Sequence, residues 1–169
     1  MKPAILIIIT FSSIVSLGQN ITFDQAQNLR KKSLVEIETF LSSKNWSMTA
    51  ADASSRSATF AYEVDQFDNE LAISWIIFFE SGIDNKYNSL SIQITKPNIY
   101  STYISRLTAN GYKLISSKIE DGGIKKIYKN TTTACIVTTS ITEGALTQVT
   151  SYTFLFIDKT EYEIYNEPN

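Results

Sequence analysis

The chain of 169 residues is 43% apolar and 12% aromatic, which suffices for a sizeable core and is too hydrophobic for a disordered segment. Fifteen Lys/Arg stand against seventeen Asp/Glu, leaving no broad cationic surface for nucleic acid. Histidine is absent and Cys135 is the single cysteine, so Ser-His-Asp and Cys-His triads, His-ligated zinc and an intramolecular disulfide are excluded.

At the amino terminus Met1-Lys2-Pro3 gives a positive start, residues 4–15 a nearly unbroken apolar run, and Ser16-Leu17-Gly18 a small-residue cleavage site. Residues 1–18 therefore read as a signal peptide cut before Gln19, and the run is too short for the roughly 20 residues of a membrane span. The expected location is periplasmic or extracellular, with no stable membrane anchor after cleavage. Loss of Lys2 leaves a mature net charge of about −3. Gln directly after the cut resembles the export signals of Bacteroidota proteins.

From 22 to 44 the pattern is helical: Thr22-x-x-Gln25 can form a capping box, and Leu34, Ile37 and Leu41 recur at helical spacing. Four strand-like stretches follow, at 46–54, 58–64, 72–80 and 89–96. A second helix over 98–110 carries Tyr100, Tyr103 and Leu107, with Pro97 near its start and Gly111 just past its end. Four more strands are expected at 112–119, 124–130, 132–140 and 150–158. Glu120-Asp121-Gly122-Gly123 reads as a tight hairpin turn, and 81–88 and 141–148 as matching eight-residue loops.

The chain overlays on itself. At an offset of 66, Leu34, Ile37, Leu41, Trp46, Met48 and Tyr62 fall on Tyr100, Tyr103, Leu107, Tyr112, Leu114 and Tyr128. At an offset of 63, Leu90, Ile92, Ile94 and Lys96 meet Thr153, Leu155, Ile157 and Lys159. The expected fold is α+β: a tandem duplication of an α-β-β-β-β unit, 19–96 and 97–159, with a tail at 160–169. Its sheet or sheets are antiparallel, with helices on one face. The order of the strands between units stays open.

Strand 89–96 alternates cleanly, with Leu90, Ile92 and Ile94 inward. Carrying that parity through the offset of 63 makes Leu155 and Ile157 inward and Tyr152, Phe154 and Phe156 outward. Strand 72–80 is apolar on both faces, with Ile73, Trp75, Ile77 and Phe79 on one and Ile76 and Phe78 on the other. Phe78, Tyr152, Phe154 and Phe156 are thus the candidate binding residues, because so much aromatic surface is rarely left bare. The alternating tail 160–165 would lie across this face or extend an edge, or the two units, or two copies of the chain, would pack against each other.

Catalytic material is thin. Asp65, Asp68 and Glu70 cluster in a turn, the only acid-base grouping for an uncharacterised hydrolase, and they lack the pattern of a calcium loop. Lys125, Lys126 and Lys129 read as an edge-protecting surface. No phosphate loop, dinucleotide glycine pattern or nucleophile elbow occurs, so neither cofactor nor metal is expected. Cys135, inside a β-branched run, reads as buried and inert.

With its Asn45-Trp46 and Gly111-Tyr112 junctions and closing Val149-Thr150-Ser151-Tyr152 strand, the mature chain resembles small exported Bacteroidota proteins of unassigned function. Its architecture is also similar to secreted β-lactamase inhibitor proteins, tandem repeats of helical segments and four antiparallel strands that present an aromatic sheet to an enzyme. They carry paired cysteines in each half, and this chain does not. The expected function is an exported, non-catalytic binding or inhibitor-like module, with a protein partner or a homodimer through the sheet face. The alternative is a carrier of a small apolar ligand held between sheet and helix.

Overall fold

A computed structural model describes residues 21–64, 72–82, 84, 87–120, 122–143 and 148–166. The leader lies outside them, as do the acidic turn with Asp65, Asp68 and Glu70 and parts of both eight-residue loops. In chain order the elements are α1 (Phe23–Leu29), α2 (Leu34–Ser42), β1 (Trp46–Asp52), β2 (Ser57–Val64), β3 (Ala72–Phe79) and β4 (Ser89–Ile94). They continue with α3 (Pro97–Ala109), β5 (Lys113–Glu120), β6 (Gly123–Lys129), β7 (Thr133–Glu143), β8 (Gln148–Asp158) and α4 (Lys159–Asn166). All eight strands join one antiparallel sheet in the order β1-β2-β3-β4-β8-β7-β6-β5. The fold class is α+β.

The single helix expected from 22 to 44 is two. Thr22 and Gln25 close a capping box at α1, and a second box at Ser33 and Glu36 starts α2 four residues after α1 ends. There the Glu36 carboxylate accepts from the Ser33 N–H at 3.0 Å and pairs with Lys32 at 2.9 Å. Both α2 and α3 pass to their strands through a left-handed residue, Asn45 (φ 63°) and Gly111 (φ 75°). Glycine adopts that conformation without strain, and asparagine tolerates it better than most residues. Trp46 and Tyr112 follow at once, both buried.

The edges match as well. β1 has a bulge between Met48 and Ala50 against β2, and β5 one between Leu114 and Ser116 against β6, 66 positions later. Bulges twist an edge away from further pairing. The equivalence of Tyr62 with Tyr128 is not kept: Tyr62 faces Trp46, whereas Tyr128 faces Leu114, the place Phe60 holds opposite Met48. The lysine strand β6 lies second from the edge. The edge itself is β5, where Lys118 reaches Glu120 at 2.8 Å and Lys125 reaches the same carboxylate at 2.9 Å.

α1, α2 and α3 cover one face of the sheet. Ile37 and Leu41 of α2, Tyr103 and Leu107 of α3, and Phe23 of α1 share a core with Phe60, Ile76, Phe78, Leu90, Ile92, Cys135, Phe154 and Phe156. Phe23 meets its neighbours edge-on: it lies 5.6 Å from Phe156 at 83° and 5.7 Å from Tyr103 at 81°. The Tyr103 hydroxyl, deep in this layer, donates to the Ile21 carbonyl at 2.8 Å. Burial of each such ring contributes about 2–3 kcal/mol.

The tail neither crosses the sheet as an extended segment nor adds an edge strand. It forms α4, which turns back onto β7 and β8. Tyr162 of α4 is buried, with the Lys129 ammonium 4.6 Å from its ring centroid. Lys129 pairs with Ala134 across the β6–β7 ladder, and both point away from Tyr128 and Cys135. α4 therefore lies on the face opposite the other helices, over Ala134, which is fully buried.

Candidate functional site

Of the four aromatics expected on an open face, Phe78, Phe154 and Phe156 are fully buried under the helices. Tyr152 is half-buried and stacks on Tyr100 of α3 at 4.1 Å. The error is one residue of parity. Leu90 pairs with Phe156 and Ile92 with Phe154, and residues directly opposite in a ladder share a face. The symmetric correspondence across this pairing is Leu90 with Phe154 and Ile92 with Phe156, an offset of 64 where the expected one was 63. A slip of one residue exchanges the two faces of a strand. Leu155 and Ile157, expected inward, point the other way and are half-buried.

The other face of β3 is thereby the open one. Ile73 and Trp75 are half-buried, Ile77 is 37% exposed and Phe79 is 43% exposed. From Ile77 a largely apolar row crosses the sheet along the ladders: Ile77 faces Ser91 on β4, Ser91 faces Leu155 on β8, Leu155 faces Ile136 on β7, and Ile136 faces Ile127 on β6. Only small or polar residues of β4, Ser89, Ser91 and Gln93, interrupt it. Among the described elements α4 alone reaches this face, at the β7–β8 side. Ala61 of β2 is buried here opposite Trp75, so the indole already shields part of the surface.

These residues were missed although their signal was present: a strand apolar on both faces has one face to spare. Parity decided which, and parity was carried from the wrong offset.

On the described strands this face carries Ile, Trp, Phe and Leu among Ser, Thr and Gln. At its flank the Glu120 carboxyl is held down to about 2 by hydrogen bonds from Lys118 and Lys125, so it is ionised and spent on its own lysines. Burial pushes the Cys135 thiol well up, on the helix-covered side, which leaves it a small apolar filler. Among the described residues no group of three or more Cys, Asp or Glu could hold a metal ion.

A groove of about 710 Å³ runs between α1 and α3, with Phe23, Ile99 and Tyr103 along its floor and Asp24 and Arg106 paired at its rim. Between these helices and the sheet the rings of Phe23 and Phe156, and of Tyr103 and Phe154, are in contact. In comparisons with known proteins, the chain matches no family model and no curated sequence. No helix among the described residues is long and apolar enough to cross a membrane.

Proposed function

We propose that the chain is an exported, non-catalytic binding module that docks a protein partner on the open face of its sheet. The observation that carries this reading is the exposure of Ile77 and Phe79 beside Trp75, on a sheet whose opposite face already holds three helices. Large exposed apolar patches rimmed by polar residues mark interaction sites. Docking would bury the central Trp75–Ile77 region and leave the lysines of β5 and β6 at the rim.

Two further features support the reading. The matched bulges and left-handed joints, each 66 positions apart, fit a duplicated α-β-β-β-β unit used as a rigid platform. Three helices on one side, with a face on the other that α4 covers only at β7 and β8, also fit the similarity to β-lactamase inhibitor proteins. That similarity is an analogy of architecture and names no target.

Replacing Ile77 with Lys tests the proposal. The native protein should enhance the fluorescence of a hydrophobic dye or self-associate in solution-mass measurements, and Ile77→Lys should lose that signal while melting as before. A native protein that is monomeric and dye-silent would sink the proposal. Export has its own test: expression with the leader in a Gram-negative host should yield a mature product beginning at Gln19. Unprocessed cytoplasmic protein would contradict it. The carrier reading is weaker because the space between helices and sheet is filled by aromatic contacts. A co-purified apolar adduct in native mass spectrometry would revive it.

A further inference from the structure

On the helix side, away from the open sheet face, a cleft of about 280 Å³ opens between α1, the α3–β5 joint and the β6–β7 turn. Beneath it lie the rings of Phe23 and Tyr112, 6.4 Å apart, nearly perpendicular and both buried. Gln27 on α1 donates from its amide nitrogen to the Tyr112 hydroxyl at 3.0 Å, which fixes the amide and turns its oxygen free. Across the cleft Asn130 does the converse. Its side-chain oxygen accepts from the N–H groups of Thr132 at 3.0 Å and Thr133 at 2.8 Å, and its NH₂ has no partner among the described residues. The Asn28 amide is likewise unpartnered there, and all three amides line the same cleft.

The cleft thus presents an acceptor from Gln27, a donor from Asn130 and an amide, Asn28, offering both. Its charges do not ask for an ion. Asp24 is already paired with Arg106, and Lys31 alone remains at the rim. A dedicated anion site would gather several cations, and a cation site would hold carboxylates without partners. Mixed neutral donors and acceptors match a hydroxyl group, which is donor and acceptor at once. The volume lies just below the roughly 300–1,000 Å³ of sites for drug-sized ligands, a fit for one sugar ring.

From this geometry we infer that the cleft binds a neutral carbohydrate, one monosaccharide unit, between Gln27 and Asn130. The side-chain amides bracket adjacent ring hydroxyls. This site is independent of the sheet face, and either one can be absent without the other.

The experiment is an NMR titration of the purified protein, following the side-chain amides of Gln27, Asn28 and Asn130. Glucose, galactose and N-acetylglucosamine are each added to about 10 mM, well above a Kd of about 1 mM. Saturable shifts of these amides with at least one sugar are expected. Asn130→Asp keeps the oxygen that caps the Thr132–Thr133 turn and removes the NH₂ donor, so it should weaken binding about tenfold or more with the melting temperature unchanged. Absence of saturable shifts with all three sugars overturns the inference. So do shifts that persist undiminished in Asn130→Asp, or inorganic phosphate or glycine shifting the same amides where the sugars do not.

Discussion

The two faces of β3 each carry an Ile and a Phe at adjacent positions, with opposite fates. Ile76 and Phe78 are fully buried beneath the helices, while Ile77 and Phe79, one residue away in each case, meet solvent. What separates them is cover: Phe23, Tyr100 and Tyr103 reach down to Tyr152, Phe154 and Phe156 on one side, and among the described elements α4 alone packs on the other, at β7 and β8. Hydrophobic side chains on a strand state that something will cover them. They do not state whether the cover belongs to the same chain.

The contrast can be broken most strongly in the covered layer. Phe154→Ala should lower the unfolding free energy by about 3–5 kcal/mol in a denaturant titration, since the cavity lies between Tyr103 and Phe156 and cannot easily collapse. The counterpart on the bare face, Phe79→Ala, should change it by less than about 1 kcal/mol. Equal effects would mean that Phe79 is covered as Phe154 is, and a larger loss at Phe79 that the faces had been assigned the wrong way round. Next in size is Tyr103→Phe, which leaves the Ile21 carbonyl without its 2.8 Å donor and should remove about 1–2 kcal/mol by the same titration.

Cys135 sharpens the comparison without a large energy. Because it is buried under the helices with its thiol pushed up, a thiol-reactive reagent should label it only as fast as the molecule opens, and at once in denaturant. The smallest effect is expected at Glu36, where hydrogen bonds from Lys32 and Ser33 lower the carboxyl from its usual 4.5 to about 2. Its folded value is depressed, so its contribution is complete above pH 4.5 and is lost as the pH falls toward 2. Glu36→Gln should flatten the acid limb of a melting-temperature profile in that window and leave neutral pH almost unchanged. The group is fully exposed, so the difference should be the slightest of the series.

Much of the fold was legible because its signals are local. The Thr22 capping box, Pro97 and Gly111 bounded helices correctly, and the β-branched run around Cys135 placed a buried strand. The break between α1 and α2 was legible too, in Ser33-x-x-Glu36, but the run of Leu34, Ile37 and Leu41 masked it. The tail's alternation suited a strand over five residues and helix α4 over eight. The candidate site failed for a non-local reason. Which way Phe154 points depends on its pairing with Ile92, 62 residues earlier, and no spacing within either strand records that register. Tyr152, Phe154 and Phe156 therefore moved from the binding face to the core, and Trp75, Ile77 and Phe79 took their place.

The most direct test of the bare face is hydroxyl-radical footprinting of the purified protein, read by peptide mass spectrometry. Trp75, Ile77 and Phe79 should be oxidised readily in the native state, while Phe78, Phe154 and Phe156 stay protected until the protein is unfolded. Protection of Trp75, Ile77 and Phe79 in a monomer, or oxidation of Phe154 and Phe156 at a comparable rate, would contradict the account.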